Sequence, residues 1–193
     1  MKPLALSVSV VSISLERIRI FYDVIYYQIY CQRGLLRREL ITSNGIRVKK
    51  VGWCFYGIFK IFFVFPWFMR RYNNYVANCI KRDVKKYGAP GAVLVNFQYN
   101  FPQIYDSSLF QRQVYVCNED FVNQNVNASD QERVVKERAQ REVIRHSDIV
   151  VVVSDPLKSV VAGYGADDIE VLYSGHNFDL ALSRKWEFRL RNE

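Results

Sequence analysis

In the second half of the chain, the pattern of apolar and polar positions predicts strands that alternate with helices. Residues 92–97 (AVLVNF) and 148–153 (DIVVVV) are short apolar runs, as expected for strands covered on both faces of a sheet. Residues 114–117 and 169–173 are shorter runs of the same kind. Between them, residues 129–146 predict a helix that begins with the capping-box pattern Ser129-Asp130-Gln131-Glu132.

A further helix is predicted directly after the run at 148–153. Asp155 is placed to cap its first turn, Pro156 to occupy its first position, and Gly163 or Gly165 to end it. Strands alternating with helices at these lengths predict an α/β fold with a doubly wound, mostly parallel, Rossmann-like sheet. We expect one domain over residues 1–180, with 181–193 as the start of a hinge or a tail.

The pattern in the first half is less regular. Residues 4–13 form an apolar run that could be a first strand or the apolar core of a signal peptide. Because no strongly basic segment precedes this run, we predict a strand. Residues 16–32 have helical spacing and precede Gly34, which predicts a helix, and 46–51 alternate as a strand after Asn44-Gly45. Residues 68–87 keep the helical period up to the stop signals Gly88 and Pro90.

Residues 53–69 (WCFYGIFKIFFVFPWFM) form the most aromatic stretch of the chain. Lys60 and Pro66 interrupt it, so it is shorter than the roughly 20 clean apolar residues that a spanning helix needs. Basic residues flank it on both sides, namely Arg47, Lys49, Lys50, Arg70 and Arg71. Two interpretations remain open: the segment packs against the domain core, or it lies at the headgroup boundary of a membrane.

Charge is divided unequally between the two halves. Residues 1–90 carry 16 Lys and Arg against 4 Asp and Glu, whereas residues 91–193 carry 11 against 15. A basic half attracts polyanions, an anionic membrane surface or phosphate-bearing substrates. With half of its residues hydrophobic and 15% aromatic, the chain is not of the intrinsically disordered class.

The cysteines give no sign of a metal site. Cys31, Cys54, Cys79 and Cys117 form no CxxC pair, and the chain has only two histidines, so no zinc site is expected. In a chain with a sizeable core, scattered thiols of this kind are typical of buried, reduced side chains.

Several short motifs in the second half resemble those of the GT-B glycosyltransferases. The run from His146 to Leu157 (HSDIVVVVSDPL), then Gly165-Ala166, the strand at 169–172, and residues 174–179 (SGHNFD) follow the order of the acceptor-side domain in that class. They resemble most the family 4-like enzymes of bacterial cell-surface polysaccharide synthesis. Residues 114–121 (VYVCNEDF) resemble a strand and loop of one branch of the group. The resemblance covers about residues 92–180.

The resemblance implies the N-terminal half of an enzyme that transfers a sugar from a nucleotide-sugar donor to a cell-surface glycan or lipid-linked acceptor. The donor is a co-substrate, and no bound cofactor or metal is expected. The family's donor-binding domain does not follow in this sequence, so we expect this half to be inactive without such a domain. A cytoplasmic location, peripheral at the inner face of the cell membrane, is also implied.

Ligands of doubly wound sheets bind at the carboxyl ends of the strands, which singles out the residues that follow the predicted strands. Glu119 and Asp120 are the candidate catalytic residues, because a carboxylate there can orient or deprotonate an acceptor hydroxyl. The candidate substrate-binding residues at the same edge are Asn96, Gln98, Asn118, Ser154, Gly175, His176 and Asn177.

Two other functional classes remain in competition with sugar transfer. The same scaffold would also suit a non-catalytic module that binds a membrane surface or a protein partner. RNA binding through the basic half is weaker, because the aromatic residues form apolar runs and not an alternating stacking and basic platform; no nucleic-acid partner is expected.

Overall fold

A computed structural model describes residues 4–8, 23–28, 39–41, 47–51, 66–87, 91–124 and 126–172. The strands are β1 (Leu4–Val8), β2 (Asp23–Gln28), β3 (Glu39–Ile41), β4 (Arg47–Lys50), β5 (Ala92–Asn96), β6 (Phe110–Cys117), β7 (Ile149–Val152) and β8 (Ile169–Val171). The α-helices are α1 (Pro66–Tyr87), α2 (Asp130–Arg145) and α3 (Asp155–Gly163), and a short 3-10 helix, η1, covers Pro102–Ile104.

The eight strands form one sheet in the order β3-β4-β2-β1-β5-β6-β7-β8. Every pair is parallel except β3 with β4, which is antiparallel at the edge. The chain runs outward from β1 in one direction through β2 and β4, and in the other through β5 to β8. The predicted Rossmann-like, mostly parallel α/β fold is therefore confirmed, with its topological switch point between β1 and β5.

Strands β5 to β7 are buried on both faces, as a parallel sheet requires. One face carries Leu94, Tyr115 and Val152, which belong to the main hydrophobic core together with residues of all three helices, such as Val76, Val143 and Val161. The alternate side chains on the opposite face are buried as well: Val93, Val95, Val114, Val116 and Val151. This double burial explains why these strands appear in the sequence as continuous apolar runs.

The predicted elements of the second half are present with small shifts at their ends. Strands β5, β7 and β8 and helices α1 and α2 lie where they were predicted. Strand β6 begins at Phe110, earlier than predicted, because Phe110 and Gln113 are buried as well. Helix α3 has Ser154 at its N-cap, so the prediction of Asp155 at that position was wrong by one residue.

The first half differs more from its prediction. The strand expected near the N-terminus and the one at 46–51 are confirmed as β1 and β4. The helix predicted over 16–32 is wrong at its centre, where Asp23–Gln28 forms β2. The sequence Val24-Ile25-Tyr26-Tyr27 is β-branched and aromatic, a composition that suits a buried strand, and such short apolar runs fit both periods. The three-residue edge strand β3 was not predicted.

Two predictions concern residues outside the described part of the chain. The proposed domain limit at residue 180 lies in 173–193, and most of the aromatic stretch at 53–69 precedes Pro66, where α1 begins. In the described residues, no helix is long and apolar enough to cross a bilayer.

Candidate functional site

Three loops leave the sheet at the carboxyl ends of neighbouring strands, and they contain most of the predicted site residues. Loop 97–101 follows β5, the polar segment 118–129 follows β6, and residues 153–154 join β7 to α3. Cys117 is paired with Val152, so the second and third loops start from adjacent strands, about 5 Å apart. We call these loops, with Asn96 at the end of β5, the rim.

Asn96 lies at the switch point, where it is paired with Val8 of β1. Its side chain is buried, and its Oδ1 accepts a hydrogen bond from the Gln98 backbone nitrogen at 2.9 Å. Its Nδ2 donates to the Gln98 carbonyl at 3.0 Å and to the Tyr105 hydroxyl at 3.2 Å. Asn96 therefore fixes the course of loop 97–101 from within, and its predicted contact with a substrate stays a prediction that this geometry does not favour.

Tyr99 and Phe121 join the first two loops of the rim. Their rings stack with centroids 4.8 Å apart and planes 22° apart, and both side chains are half-buried. Burial raises the pKa of the Tyr99 hydroxyl, the charge of Glu132 adds to the rise, and Lys136 opposes it. The first turns of α2 therefore lie close to this aromatic pair.

The two candidate catalytic carboxylates occupy different situations in the loop after β6. Asp120 is half-buried and accepts hydrogen bonds from the Asn123 backbone nitrogen at 3.1 Å and from Asn123 Nδ2 at 3.0 Å. Both of its oxygens are thus used to close the turn at 121–124. Glu119 is exposed, and its Oε2 accepts from Gln124 Nε2 at 2.8 Å. Among the described residues, none donates a hydrogen bond to the other oxygen of Glu119.

The remaining predicted residues divide into those on the rim and those outside the described part of the chain. Asn118 is exposed at the end of β6, and Gln98 is half-buried in the loop after β5. Ser154 starts α3, where its carbonyl accepts from Lys158 N at 3.1 Å while its hydroxyl makes no capping bond. Gly175, His176 and Asn177 lie outside the described residues, so their predicted roles stay predictions.

A buried polar cluster beneath the rim was not predicted. Gln140 of α2, 1% exposed, donates from Nε2 to the Tyr115 hydroxyl at 3.2 Å and to Cys117 Sγ at 3.4 Å. Burial raises the pKa of both the Tyr115 hydroxyl and the Cys117 thiol, which keeps both groups protonated at neutral pH. The thiol is therefore not an activated nucleophile.

The sequence contains signals that could have located these unpredicted residues. Tyr99 and Phe121 are aromatic residues directly after buried strands, where the ligand-binding edge was expected. Gln140 precedes the buried Val143 and Ile144 by three and four positions, a spacing that places it on the inner side of α2. In the described residues, no cluster of histidine, cysteine, aspartate or glutamate could hold a metal ion.

A second polar cluster lies away from the rim, between β2, β4 and α1. Lys49 Nζ lies 2.7 Å from Asp83 Oδ2 and donates to the Tyr87 hydroxyl, also at 2.7 Å. The Tyr27 hydroxyl donates to the same Asp83 oxygen at 2.6 Å. Lys49 is one of the basic residues that flank the stretch 53–69, for which membrane contact is one of two open interpretations. Its own charge is balanced by Asp83.

Comparison with known proteins identifies the fold. No protein family model matches the chain, and no curated protein matches it. A solved chain of sucrose-phosphate synthase from Thermosynechococcus elongatus has a similar structure, with a TM-score of 0.64 over 100% of both chains and 13% sequence identity. At this identity the similarity establishes the fold alone: it is glycosyltransferase-like, built on a Rossmann-like α/β sheet.

Proposed function

We propose that this chain is the acceptor-side half of a GT-B, family 4-like glycosyltransferase, which transfers a sugar from a nucleotide-sugar donor to a cell-surface glycan or lipid-linked acceptor. The observation that supports this most is the placement of an exposed carboxylate, Glu119, beside an aromatic pair at the carboxyl ends of the strands. Ligands of doubly wound sheets bind at this edge, and the fold is that of a glycosyltransferase.

The sign of the charge at the rim favours the acceptor over the donor phosphates. The rim loop 118–129 contains Glu119 and Asp120 and no Lys or Arg, while Arg133 of α2 donates from Nη2 to the Val126 carbonyl at 3.2 Å. Carboxylates accept hydrogen bonds from sugar hydroxyls, whereas they repel a nucleoside diphosphate. In this proposal a donor-binding domain supplies the groups that stabilise the departing diphosphate, so the present domain alone binds acceptor but transfers no sugar.

Glu119 is the stronger candidate for the base that orients or deprotonates the acceptor hydroxyl. Its carboxylate is exposed, and one oxygen has no donor among the described residues, whereas both oxygens of Asp120 hold the turn at Asn123. We assign Asp120 to shaping the loop that presents Glu119. Gln98, Asn118 and Ser154 would add hydrogen bonds to the acceptor, with Gly175, His176 and Asn177 completing the site as the resemblance implies.

Acceptor binding by the full chain is the direct test. Saturation-transfer NMR against a panel of oligosaccharides and lipid-linked saccharides should detect binding, and Glu119→Gln should weaken the affinity by about tenfold, the value of one charge-assisted hydrogen bond. Glu142→Gln, at the opposite end of α2, is the matched control and should leave binding unchanged. Binding to no saccharide, or equal loss in both variants, would contradict the proposal.

Sugar transfer is tested with the chain joined to a donor-binding domain of the same class. We expect transfer from a radiolabelled nucleotide sugar to the acceptor identified by NMR, with kcat falling by about 10²-fold or more in Glu119→Gln. Absence of transfer together with intact acceptor binding would favour the second candidate, a non-catalytic module on the same scaffold. The exposed basic side chains of α1 support that candidate as a surface-binding protein, and in it Glu119→Gln has no catalytic consequence.

A further inference from the structure

The outward side of α1 is basic and aromatic and carries no exposed acid. Trp67 is 58% exposed and Tyr75 is 49% exposed. Five cationic side chains of the helix are exposed with them: Arg70, Arg71, Arg82, Lys85 and Lys86. The single acidic residue of α1 is Asp83, and it is bound to Lys49 and Tyr27.

Four of these seven side chains lie on one face of the helix, two near each end, and we call this face the stripe. The exposed residues Trp67, Arg71, Asn78, Arg82 and Lys85 recur at intervals of three, four and seven residues, the spacing of one helical face. The inner face is fixed against the sheet by buried side chains, among them Tyr72, Val76, Ile80 and Val84. With 22 residues, α1 is about 33 Å long, and the stripe runs along most of that length.

Neighbouring acids do not neutralise the stripe in the described part of the chain. The ion pairs found there include those of Lys49, Lys81, Lys136, Arg141, Arg145 and His146, and none of the five exposed cations of α1 is among them. Arg71 lies over the Trp67 ring at 5.9 Å from its centroid, which orders the aromatic end of the stripe without removing the positive charge.

We propose that the outward side of α1 docks on the anionic headgroups of a lipid bilayer. The surface is convex and cationic, so its charge complements a flat anionic surface, and exposed Trp and Tyr side chains are the aromatic residues that favour the membrane–water interface. Single-stranded nucleic acid is held in a groove lined by stacking platforms, which the outside of one helix does not provide. The inference rests on α1 alone and is independent of the proposed transfer reaction.

Vesicle sedimentation with the full chain tests the docking surface. We expect binding to vesicles of mixed phosphatidylcholine and phosphatidylserine, no binding to phosphatidylcholine alone, and weakening by added salt. Each Lys or Arg at such a surface contributes a factor of about five, so the combined variant Arg82→Gln, Lys85→Gln, Lys86→Gln should bind on the order of a hundredfold more weakly.

A control of equal charge separates this surface from net charge. The combined variant Arg138→Gln, Arg145→Gln, Lys158→Gln changes three exposed cations of α2 and α3 and should lose less than about fivefold. Equal losses in the two combined variants, or no preference of the original chain for anionic vesicles, would overturn the proposal. Circular dichroism confirms that each variant keeps its helices.

Trp67 gives a second, optical readout. Transfer of an exposed Trp into the headgroup region shifts its fluorescence to the blue. In a chain with Trp53→Phe and Trp186→Phe, which keeps Trp67 as its single tryptophan, we expect this shift on anionic vesicles and not on phosphatidylcholine alone. Trp67→Ala should bind about tenfold more weakly, whereas Val134→Ala, an exposed apolar residue of α2, should change little. Displacement from vesicles by polyuridylate at equal phosphate concentration would instead identify a nucleic-acid surface and contradict the membrane proposal.

Discussion

Lys49 illustrates how burial decides what a charged residue does. Its side chain is 15% exposed and that of Asp83 25%, and the two are joined at 2.7 Å. Burial by itself lowers the pKa of the Lys49 ammonium, but the hydrogen bonds to Asp83 and Tyr87 outweigh it, and the pKa is raised above 10.5. The ammonium therefore stabilises the packing of α1 on β2 and β4.

The raised pKa gives a pH-dependent prediction. The stabilisation is fully present below the unfolded-state pKa of 10.5 and is lost as the pH rises through the higher folded-state value. Lys49→Met should lower the free energy of unfolding by about 2 kcal/mol near neutral pH, and its difference from the original chain should shrink above pH 10.5. Urea unfolding across this range measures both effects. The control is Lys158→Met, at an exposed position. If the loss of unfolding free energy in Lys49→Met were the same at every pH, this account would be contradicted.

Gln140 supports a second prediction at the residue scale. Its Oε1 is buried and has no hydrogen-bond partner, while its Nε2 makes only two long bonds. An unpaired buried acceptor costs about 1–3 kcal/mol, more than two weak bonds return. Gln140→Met, of similar volume, should raise the free energy of unfolding by about 1 kcal/mol, whereas Gln140→Ala should lower it through the cavity it leaves. Urea unfolding measures the free energy of unfolding of both variants. If Gln140→Met were less stable than the original chain, Oε1 of Gln140 would have a hydrogen-bond partner in solution.

At the scale of the element, only half of the capping box predicted at the start of α2 is formed. The Ser129 hydroxyl accepts a hydrogen bond from the Glu132 backbone nitrogen at 3.2 Å, as the capping-box pattern predicted. The carboxylate of Glu132 instead pairs with Lys136 at 2.7 Å. The start of the helix therefore depends on the serine.

The contribution of this cap can be measured by substitution. Ser129→Ala removes the acceptor for the Glu132 nitrogen and should lower the free energy of unfolding by about 1 kcal/mol. Ser159→Ala, exposed within α3, changes the same side chain without a capping role and should have an effect within about 0.5 kcal/mol. Thermal unfolding of the two variants compares them, and equal effects would remove the assigned role of Ser129.

The elements that could be predicted are those whose local chemistry agrees with their tertiary surroundings. The runs at β5 and β7 are apolar because both faces of the sheet are covered, and α2 has its own start signal. Strand β2 could not be identified in the same way, because its apolar residues also fit the helical spacing around them. The three residues of β3 depend on pairing with β4, an interaction between segments that no local pattern encodes.

The position of the rim could be predicted from sequence. Which of its polar side chains hydrogen-bond within their own loops could not. The positions after β5, β6 and β7 were found because parallel topology fixes where strands end. Whether a polar group there is available depends on bonds made after folding: Asn96 and Asp120 bind their own loops, and Glu119 keeps an exposed oxygen. Tyr99 and Phe121 meet only because β5 and β6 are neighbours.

At the scale of the whole molecule, strand β1 lies near the centre of the sheet and is paired on both sides. Leu6 is opposite Ile25 of β2 on one side and Leu94 of β5 on the other. Proline at this position removes a ladder hydrogen bond inside the sheet, so Leu6→Pro should lower the free energy of unfolding by about 3 kcal/mol or more. Leu40→Pro, in the edge strand β3, should cost less. Urea unfolding compares them, and equal losses would contradict the central position of β1.

The order of the strands along the chain also determines when each strand gains its neighbours during synthesis. Among the described strands, β1 and its neighbour β2 are synthesised early, but the other neighbour of β1 begins only at Ala92. Until the ribosome has supplied that segment, one side of β1 presents unpaired amide and carbonyl groups, the arrangement through which partly folded chains associate with each other. In cell-free translation the yield of soluble protein should consequently fall as more chains are made at once, and a chaperone that shields nascent strands should restore the yield.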